Sequence, residues 1–263
     1  MLMKPPKGAM LNRGDPLARG IVGCWLMNEG TGNKICNLSG SYRPFALTGT
    51  SWTADKFGPT LNFNGSSDIA DAAAISAGGF KGLTIGAWVK AATSPLTNSG
   101  TIFKQGSSGG SYLFNTYLHT NKYVYTYFYR DGGTSGLAYK ANGIVDSLWH
   151  LVVATWDLNN ALVYVDGVPG NPVVFAGTPE DGISAGQDQL SIGASRSFAG
   201  ATSIWFDGKI DAPMLYNRAL SATEIQQLYM TPFRMFRREP IELWTGAYAP
   251  TAEDINIYVY DTE

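Results

Sequence analysis

Charged residues are scarce in this chain, and neither sign predominates. Asp, Glu, Lys and Arg make up 15% of its 263 residues, and the formal net charge is −2. Sequence-independent binding to phosphates needs a basic face, and the short cluster of Arg234, Arg237 and Arg238 does not make one. Nucleic acid is therefore excluded as a partner. Long apolar runs are missing too: none approaches the roughly 18 residues of a membrane span, so no membrane insertion is expected. Between residues 1 and 16, Gly8, Asn12, Arg13, Asp15 and Pro16 interrupt any apolar stretch of the kind a secretory signal needs. No signal peptide is expected, and the chain reads as a soluble product of the cytoplasm. Two cysteines, Cys24 and Cys36, are too few for a disulfide framework and read as reduced thiols. Of the two histidines, His119 stands alone among tyrosines and His150 follows Trp149. Neither belongs to a Ser/His/Asp arrangement or a Cys/His metal cluster.

What is present points to strands. The chain holds 31 Gly, 13 Pro and 13% aromatics, the composition of many short strands joined by turns. Its length suits one large sandwich. In Ala161–Asp166, Leu162, Tyr164 and Asp166 alternate with Val163 and Val165, and Asp166-Gly167 is a hairpin turn pair. A strand is expected from Phe206 to Tyr216. Ser221-Ala-Thr-Glu224 then reads as a capping box, and Ile225, Leu228 and Tyr229 follow at helical spacing.

Several phrases recur in a fixed order: Trp25 with Glu29-Gly30, Lys56-Phe-Gly58, Leu83–Lys90, Trp149-His150, Leu162–Gly167, Leu190-Ser-Ile-Gly193, and the closing Gly208-Lys-Ile-Asp211 with Tyr216–Ile225. Together they resemble the laminin-G-like, concanavalin A-like jelly-roll family over residues 20–230. The resemblance implies an all-β, antiparallel two-sheet jelly roll with one short C-terminal helix. Residues 1–19 then form an extended N-terminal arm and 231–263 a C-terminal tail. Trp25, Trp88, Trp149 and Trp205 fall where the family places core aromatics, and Trp52 and Trp156 lie in strand-like runs. Family members often hold a structural calcium where the opening and closing strands lie side by side. The matching positions are Glu29, Asn37 and Asp211, with Asn37 replacing a common Asp. Each has a plainer reading as a cap or turn residue. No other cofactor is implied.

The fold hosts lectins, enzymes and structural modules alike, so function has to come from the residues. A glycan hydrolase would carry alternating carboxylates on one strand, in a Glu-x-Asp-x-Glu-like run. None occurs: Glu180-Asp181 sits among Gly and Pro, and Glu239 and Glu242 lie in the tail. Catalysis is not expected, and a hydrolase is the remotest reading. Tyr123, Tyr125, Tyr127 and Tyr129 share one strand face, with Tyr117 nearby. They offer either a sugar platform or protein contact, or else a ladder packed on neighbouring strands.

The tail is too apolar for an ordinary disordered segment. It carries Trp244 and a β-prone run with Ile255, Ile257 and Val259 on one face. It either folds back or docks on a neighbour. The opening Asp15-Pro-Leu-Ala-Arg-Gly-Ile-Val-Gly23 is similar to that of single jelly rolls encoded by bacteriophages. The expectation is a non-catalytic virion decoration or fibre protein on the virion surface, homo-oligomeric or bound to other virion proteins. A lectin-like module for cell-surface glycans is the alternative. If residues 255–260 pair as a strand with a neighbour, Ile257→Pro removes an N–H from the ladder and lowers the oligomeric state seen by light scattering. An unchanged oligomer together with unchanged particle binding rules the arm out as an assembly device.

Overall fold

The computed structural model describes residues 3–40, 43–92, 99–106, 112–130, 134–141, 144–178, 189–196 and 202–237. Among them the strands form two large antiparallel sheets. One has eight strands, in spatial order β12 (Thr134–Lys140), β11 (Val124–Arg130), β10 (Tyr112–Leu118), β9 (Gly100–Gly106), β17 (Gln189–Ile192), β7 (Ile69–Ala73), β4 (Phe45–Thr48) and β3 (Lys34–Ile35). The second runs β15 (Val168–Pro169), β14 (Asn160–Val165), β13 (His150–Trp156), β8 (Leu83–Ala91), β20 (Asp207–Tyr216), β6 (Gly58–Asn64) and β5 (Ser51–Asp55). Two short strands complete its nine, β2 (Ile21–Cys24) on β20 and β16 (Val173–Val174) on β14. Two small ladders stand apart: β1 (Met10–Leu11) with β21 (Phe236–Arg237), and β18 (Ser195–Arg196) with β19 (Thr202–Ser203).

Side-chain alternation decides what each sheet buries. Ile85, Ala87 and Val89 of β8 and Val152, Ala154 and Trp156 of β13 face the eight-stranded sheet, meeting Phe103, Phe114, Phe128 and Ile192. Trp25 packs edge-on against Phe45 at 4.8 Å and Phe103 at 6.0 Å in this layer. The opposite residues of the same strands are also apolar. Trp88, Leu151, Val153, Met214 and Tyr216 form a second core on the outer face of the nine-stranded sheet. A sheet buried on both faces needs a cover, and helix α1 (Ala222–Met230) supplies part of it through Ile225 and Leu228. Burial of such side chains contributes about 1.5–3 kcal/mol each.

The flanks supply the rest. Residues 3–19, expected as an extended arm, lie instead on the domain's own outer core. Leu17 and Ala18 enter it, the Lys4 N–H donates to Phe57 O at 3.1 Å, and Asn12 N–H donates to Met235 O at 2.8 Å. The first tail residues do likewise, with Phe233, Met235 and Phe236 packed in the same layer. The physical reason is the exposed apolar face that the jelly roll alone would leave. Trp244, Ile255, Ile257 and Val259 lie outside the described residues.

Local readings can be compared one by one. The strand expected from Phe206 spans Asp207–Tyr216. Asp166 and Gly167 both take positive φ, 53° and 77°, in the two-residue turn that joins β14 to β15. Trp25, Trp88, Trp149 and Trp156 are buried, and Trp52 is half-buried on β5. Trp205 differs in being only half-buried, between β19 and β20; like Trp25 and Trp149 it lies just outside a strand. Cys24 is buried and Cys36 exposed, both as free thiols.

The capping box forms as read. Ser221 N–H donates to Glu224 Oε2 at 2.9 Å, and Glu224 N–H donates to Ser221 Oγ at 3.3 Å. Arg218 clamps Glu224 at 2.6 Å while donating to the carbonyl of Arg19 at 2.9 Å, tying helix, strand exit and N-terminal segment together. The Arg218 guanidinium holds the Glu224 carboxyl below its usual range. Ser221→Ala is expected to cost about 1 kcal/mol and to lower Tm by about 2–4 °C. Calorimetry checks this, and an unchanged Tm would mean the cap contributes nothing.

Candidate binding face and cation cage

Strand β11 shows one-sided burial: Val124, Thr126 and Phe128 are buried, and Tyr125, Tyr127 and Tyr129 are half-buried. Thr116 and Thr126 hydrogen-bond at 3.0 Å across the inner side. Because side chains alternate, the tyrosines must share the outer face, and register does the rest. Tyr117 lies opposite Tyr125, and Tyr125 opposite Tyr139. Their rings stack at 5.6 Å and 5.5 Å, with interplanar angles of 17° and 29°. Tyr127 stacks on Tyr117 at 6.0 Å and 11°, Tyr123 on Tyr139 at 6.0 Å and 3°, and Tyr129 tilts onto Tyr127 at 6.2 Å. The rings thus form one row across β10, β11 and β12, with neighbouring centroids 5.5–6.2 Å apart.

All five tyrosines read from the sequence thus come together. Tyr139, 38% exposed, was missed, although Ser135, Leu137 and Tyr139 alternate to one side of β12. His119 packs edge-on at the end of the row, 5.4 Å from Tyr125. Asn121 Nδ2 donates to the Tyr125 hydroxyl at 2.9 Å. Burial, then the neighbouring phenols beginning with Tyr127, push the Tyr117 hydroxyl well above its ordinary pKa. The Tyr117 hydroxyl is thus held in its neutral form, both donor and acceptor.

Along the same outer face the register runs from Asn115 to Lys104, Ser191 and Asp71. Lys104 is fully buried and donates to Ser195 Oγ at 2.8 Å and Arg196 O at 3.1 Å, while Arg196 pairs with Asp71 at 2.5 Å. Carboxylates elsewhere on the sheets are likewise engaged in structural pairs. Asp55 accepts from Lys209 at 2.5 Å and from the Trp149 indole at 2.9 Å. Burial opposes its charge, yet the Lys209 ammonium, the Trp149 N–H and the Lys56 amide hold its carboxyl well below the usual range.

The positions read as calcium ligands divide. Asn37 Oδ1 accepts the backbone N–H groups of Cys24 and Ser39, both at 3.0 Å, in a turn role. Glu29 Oε1 accepts Cys36 N–H at 2.8 Å. Asp211 is 1% exposed and pairs with Lys4 at 2.5 Å. The Lys4 ammonium also donates to the carbonyls of Met27, at 2.9 Å, and Pro59. Burial pushes the Asp211 carboxyl up to about 6, opposed by the Lys4 charge. Burial likewise lowers the Lys4 amine, opposed by Asp211. Asp211 therefore pairs with a lysine ammonium held by oxygens of the kind a hard cation takes, Glu29 acts on that ammonium through its charge alone, and Asn37 stands apart. The three residues do not fit a calcium while Lys4 holds this place.

His150 is not alone either. Its Nδ1 pairs with Asp166 at 2.7 Å and its Nε2 with Asp146 at 3.0 Å. The bond to Asp166 chiefly, then that to Asp146, raises its pKa against the cost of burial. A folded pKa above the unfolded 6.5 stabilises fully below that pH and loses the contribution as pH rises through the folded value. Stability of the wild type is expected to fall across that window, and His150→Gln to flatten the profile. Urea titrations at several pH values check this; identical profiles for both proteins would overturn it.

Comparisons with known proteins were made against this geometry. A family model described as the concanavalin A-like lectin/glucanases superfamily matches residues 64–226. No curated protein matches the chain. Among solved structures, the binding domain of Paraclostridial Mosquitocidal Protein 1 superposes with a TM-score of 0.60 at 14% identity, covering 83% of this chain and 53% of that one. The binding domain of botulinum neurotoxin DC in complex with SialylT gives 0.59 at 9% identity, covering 82% and 52%. The same toxin domain in complex with rat synaptotagmin II gives 0.60 at 9%, again covering 82% and 52%. The chain spans about half the length of these structures, and at such identities the likeness establishes the fold alone. With more than half its length matched by the family model, the chain belongs to the concanavalin A-like lectin/glucanase superfamily, in its laminin-G-like branch.

Proposed function

We propose that this is a non-catalytic adhesive protein that docks on another protein through the tyrosine row, in the setting of a phage virion surface. The observation that carries the reading is the ring stacking. Binding a sugar by stacking needs a free aromatic face, and here Tyr117, Tyr125, Tyr127 and Tyr139 spend theirs on one another. What remains is a stiff row of ring edges and hydroxyls. Such a surface holds a flat protein partner at low entropic cost, as tyrosine-rich binding surfaces do. The virion setting rests on the opening phrase Asp15–Gly23 and on the apolar tail. The engagement of Asp55, Asp71, Asp211 and Glu224 with structural cations favours a non-catalytic role.

A glycan ligand is the second reading. It is favoured by the polar pair His119 and Asn121 at the end of the row and by the toxin domain whose structure was solved with SialylT. Cosedimentation with virions of the encoding phage tests the first. Tyr125→Ala with Tyr127→Ala is expected to weaken binding about 30- to 1,000-fold, since interface tyrosines contribute about 1–2 kcal/mol each. Undiminished binding by a folded double variant overturns the docking face. Hits on a glycan array that vanish in that variant would transfer the face to the saccharide reading.

A further inference from the structure

Charge is unevenly divided along this chain. Six of its 21 acidic residues and none of its 19 basic ones fall in residues 239–263. There Glu253-Asp254 and Asp261 bracket the apolar, β-prone run from Ile255 to Tyr260. The tyrosine row has the opposite balance. Among the described residues of β9–β12 and the turn joining β10 to β11, the charged side chains are Lys104, Lys122, Arg130 and Lys140, and none is acidic. Lys122 is exposed in that turn beside Tyr123, and Lys140, in register with Val124, follows Tyr139. Arg130 closes the other end of β11 after Tyr129, over the Phe175 ring at 5.5 Å. Among the described residues no carboxylate pairs with Lys122, Arg130 or Lys140.

The two patterns agree in length as well as in sign. Lys122 and Arg130 stand eight residues apart, about 26 Å along extended chain, and so do Glu253 and Asp261. An apolar run flanked by carboxylates, laid along a tyrosine row flanked by cations, meets opposite charge at both ends. We propose that the tyrosine row receives residues 253–263 of a second copy of this chain. The inference rests on the reading of that row as a protein-docking face, and it names the partner.

A second copy is favoured over the same chain by distance. The tail departs from the far side of the sandwich, where Phe233 packs on Phe57 at 5.6 Å and Met235 Sδ lies 3.8 Å from the Tyr216 hydroxyl, in the cover of the nine-stranded sheet. The tyrosines line the outside of the other sheet. From β20 to the β15 edge is four strand spacings, and from β12 to β11 one more. With strands about 4.8 Å apart, sheets about 10 Å apart and the side chains of both outer faces to clear, the route round one molecule is about 40–45 Å. Residues 238–252 span about 50 Å only when fully drawn out. A neighbour placed face to back removes that demand. Donor and acceptor are different surfaces, so the contact is heterologous and copies add head to tail.

Analytical ultracentrifugation of the full chain tests this. Wild type is expected to associate as concentration rises, and added salt to weaken the association, because exposed charges are screened. The row variant Lys122→Glu with Lys140→Glu, and the tail variant Glu253→Lys with Asp254→Lys, are each expected to weaken it about tenfold or more, two attractive charges having become repulsive. Circular dichroism checks that both are folded. An equimolar mixture of the two recovers association, since each keeps the half that the other has lost. A fluorescein-labelled peptide of residues 250–263 gives a second readout by anisotropy: it binds the tail variant and not the row variant. The inference is overturned by association that neither variant weakens, by variants that stay monomeric when mixed, or by a peptide that binds neither variant. It is overturned too by a monomeric wild type that binds the peptide far more weakly than the tail variant does, the mark of a row filled by its own chain. The docking reading is tested apart from this. If Tyr125→Ala with Tyr127→Ala loses virion binding but keeps the peptide, that reading stands and the present inference alone is overturned.

Discussion

A sheet with apolar side chains on both faces cannot meet water on either, and the nine-stranded sheet is built that way. Its inner residues, such as Ile85, Ala87 and Val89, close the sandwich, while Trp88, Met214 and Tyr216 face away from it. Everything outside the jelly roll answers to that second face. Helix α1 covers one part, Leu17 and Ala18 another, and Phe233, Met235 and Phe236 a third. Arg218 links the first two of these pieces, bonding to Glu224 of the helix and to the carbonyls of Arg19 and Pro16 in the N-terminal segment. The N-terminal segment is therefore part of the domain's energetics, since its removal would return a large apolar surface to water.

The eight-stranded sheet solves the same problem differently at its β10–β12 end. There the outer residues are tyrosines, which carry apolar area and a polar tip together. Side by side on adjacent strands they pack ring against ring. The face is self-sufficient as a structure and still chemically presentable. That combination makes it suited to recognition without requiring a pocket.

Lys4 and Asp211 show how the cover and the rim are coupled. A buried carboxylate without a partner carries a heavy desolvation cost, and the strap that shields the outer core also delivers the compensating charge. The strain at Met27 and Ala212 is held in place by the packing on either side, as such strain must be. Order at the N-terminus and order at the β20 bulge are in this way parts of one arrangement.

Patterns confined to neighbouring residues could be read directly. The alternation in Ala161–Asp166, the Asp166-Gly167 turn, the Ser221–Glu224 cap and the shared face of Tyr123, Tyr125, Tyr127 and Tyr129 depend on backbone periodicity and on hydrogen bonds a few residues long. Tertiary structure alone decided the rest. That Tyr139 joins Tyr125 depends on the register of β11 with β12. The stacking of the rings depends on three strands lying side by side. The countercharge of the buried Asp211 comes from a residue at the opposite end of the chain. Sequence periodicity reports which face a side chain takes on its own strand. It cannot report which distant segment will cover that face, because that choice is made by the apolar area and charge left over once the sheets have closed.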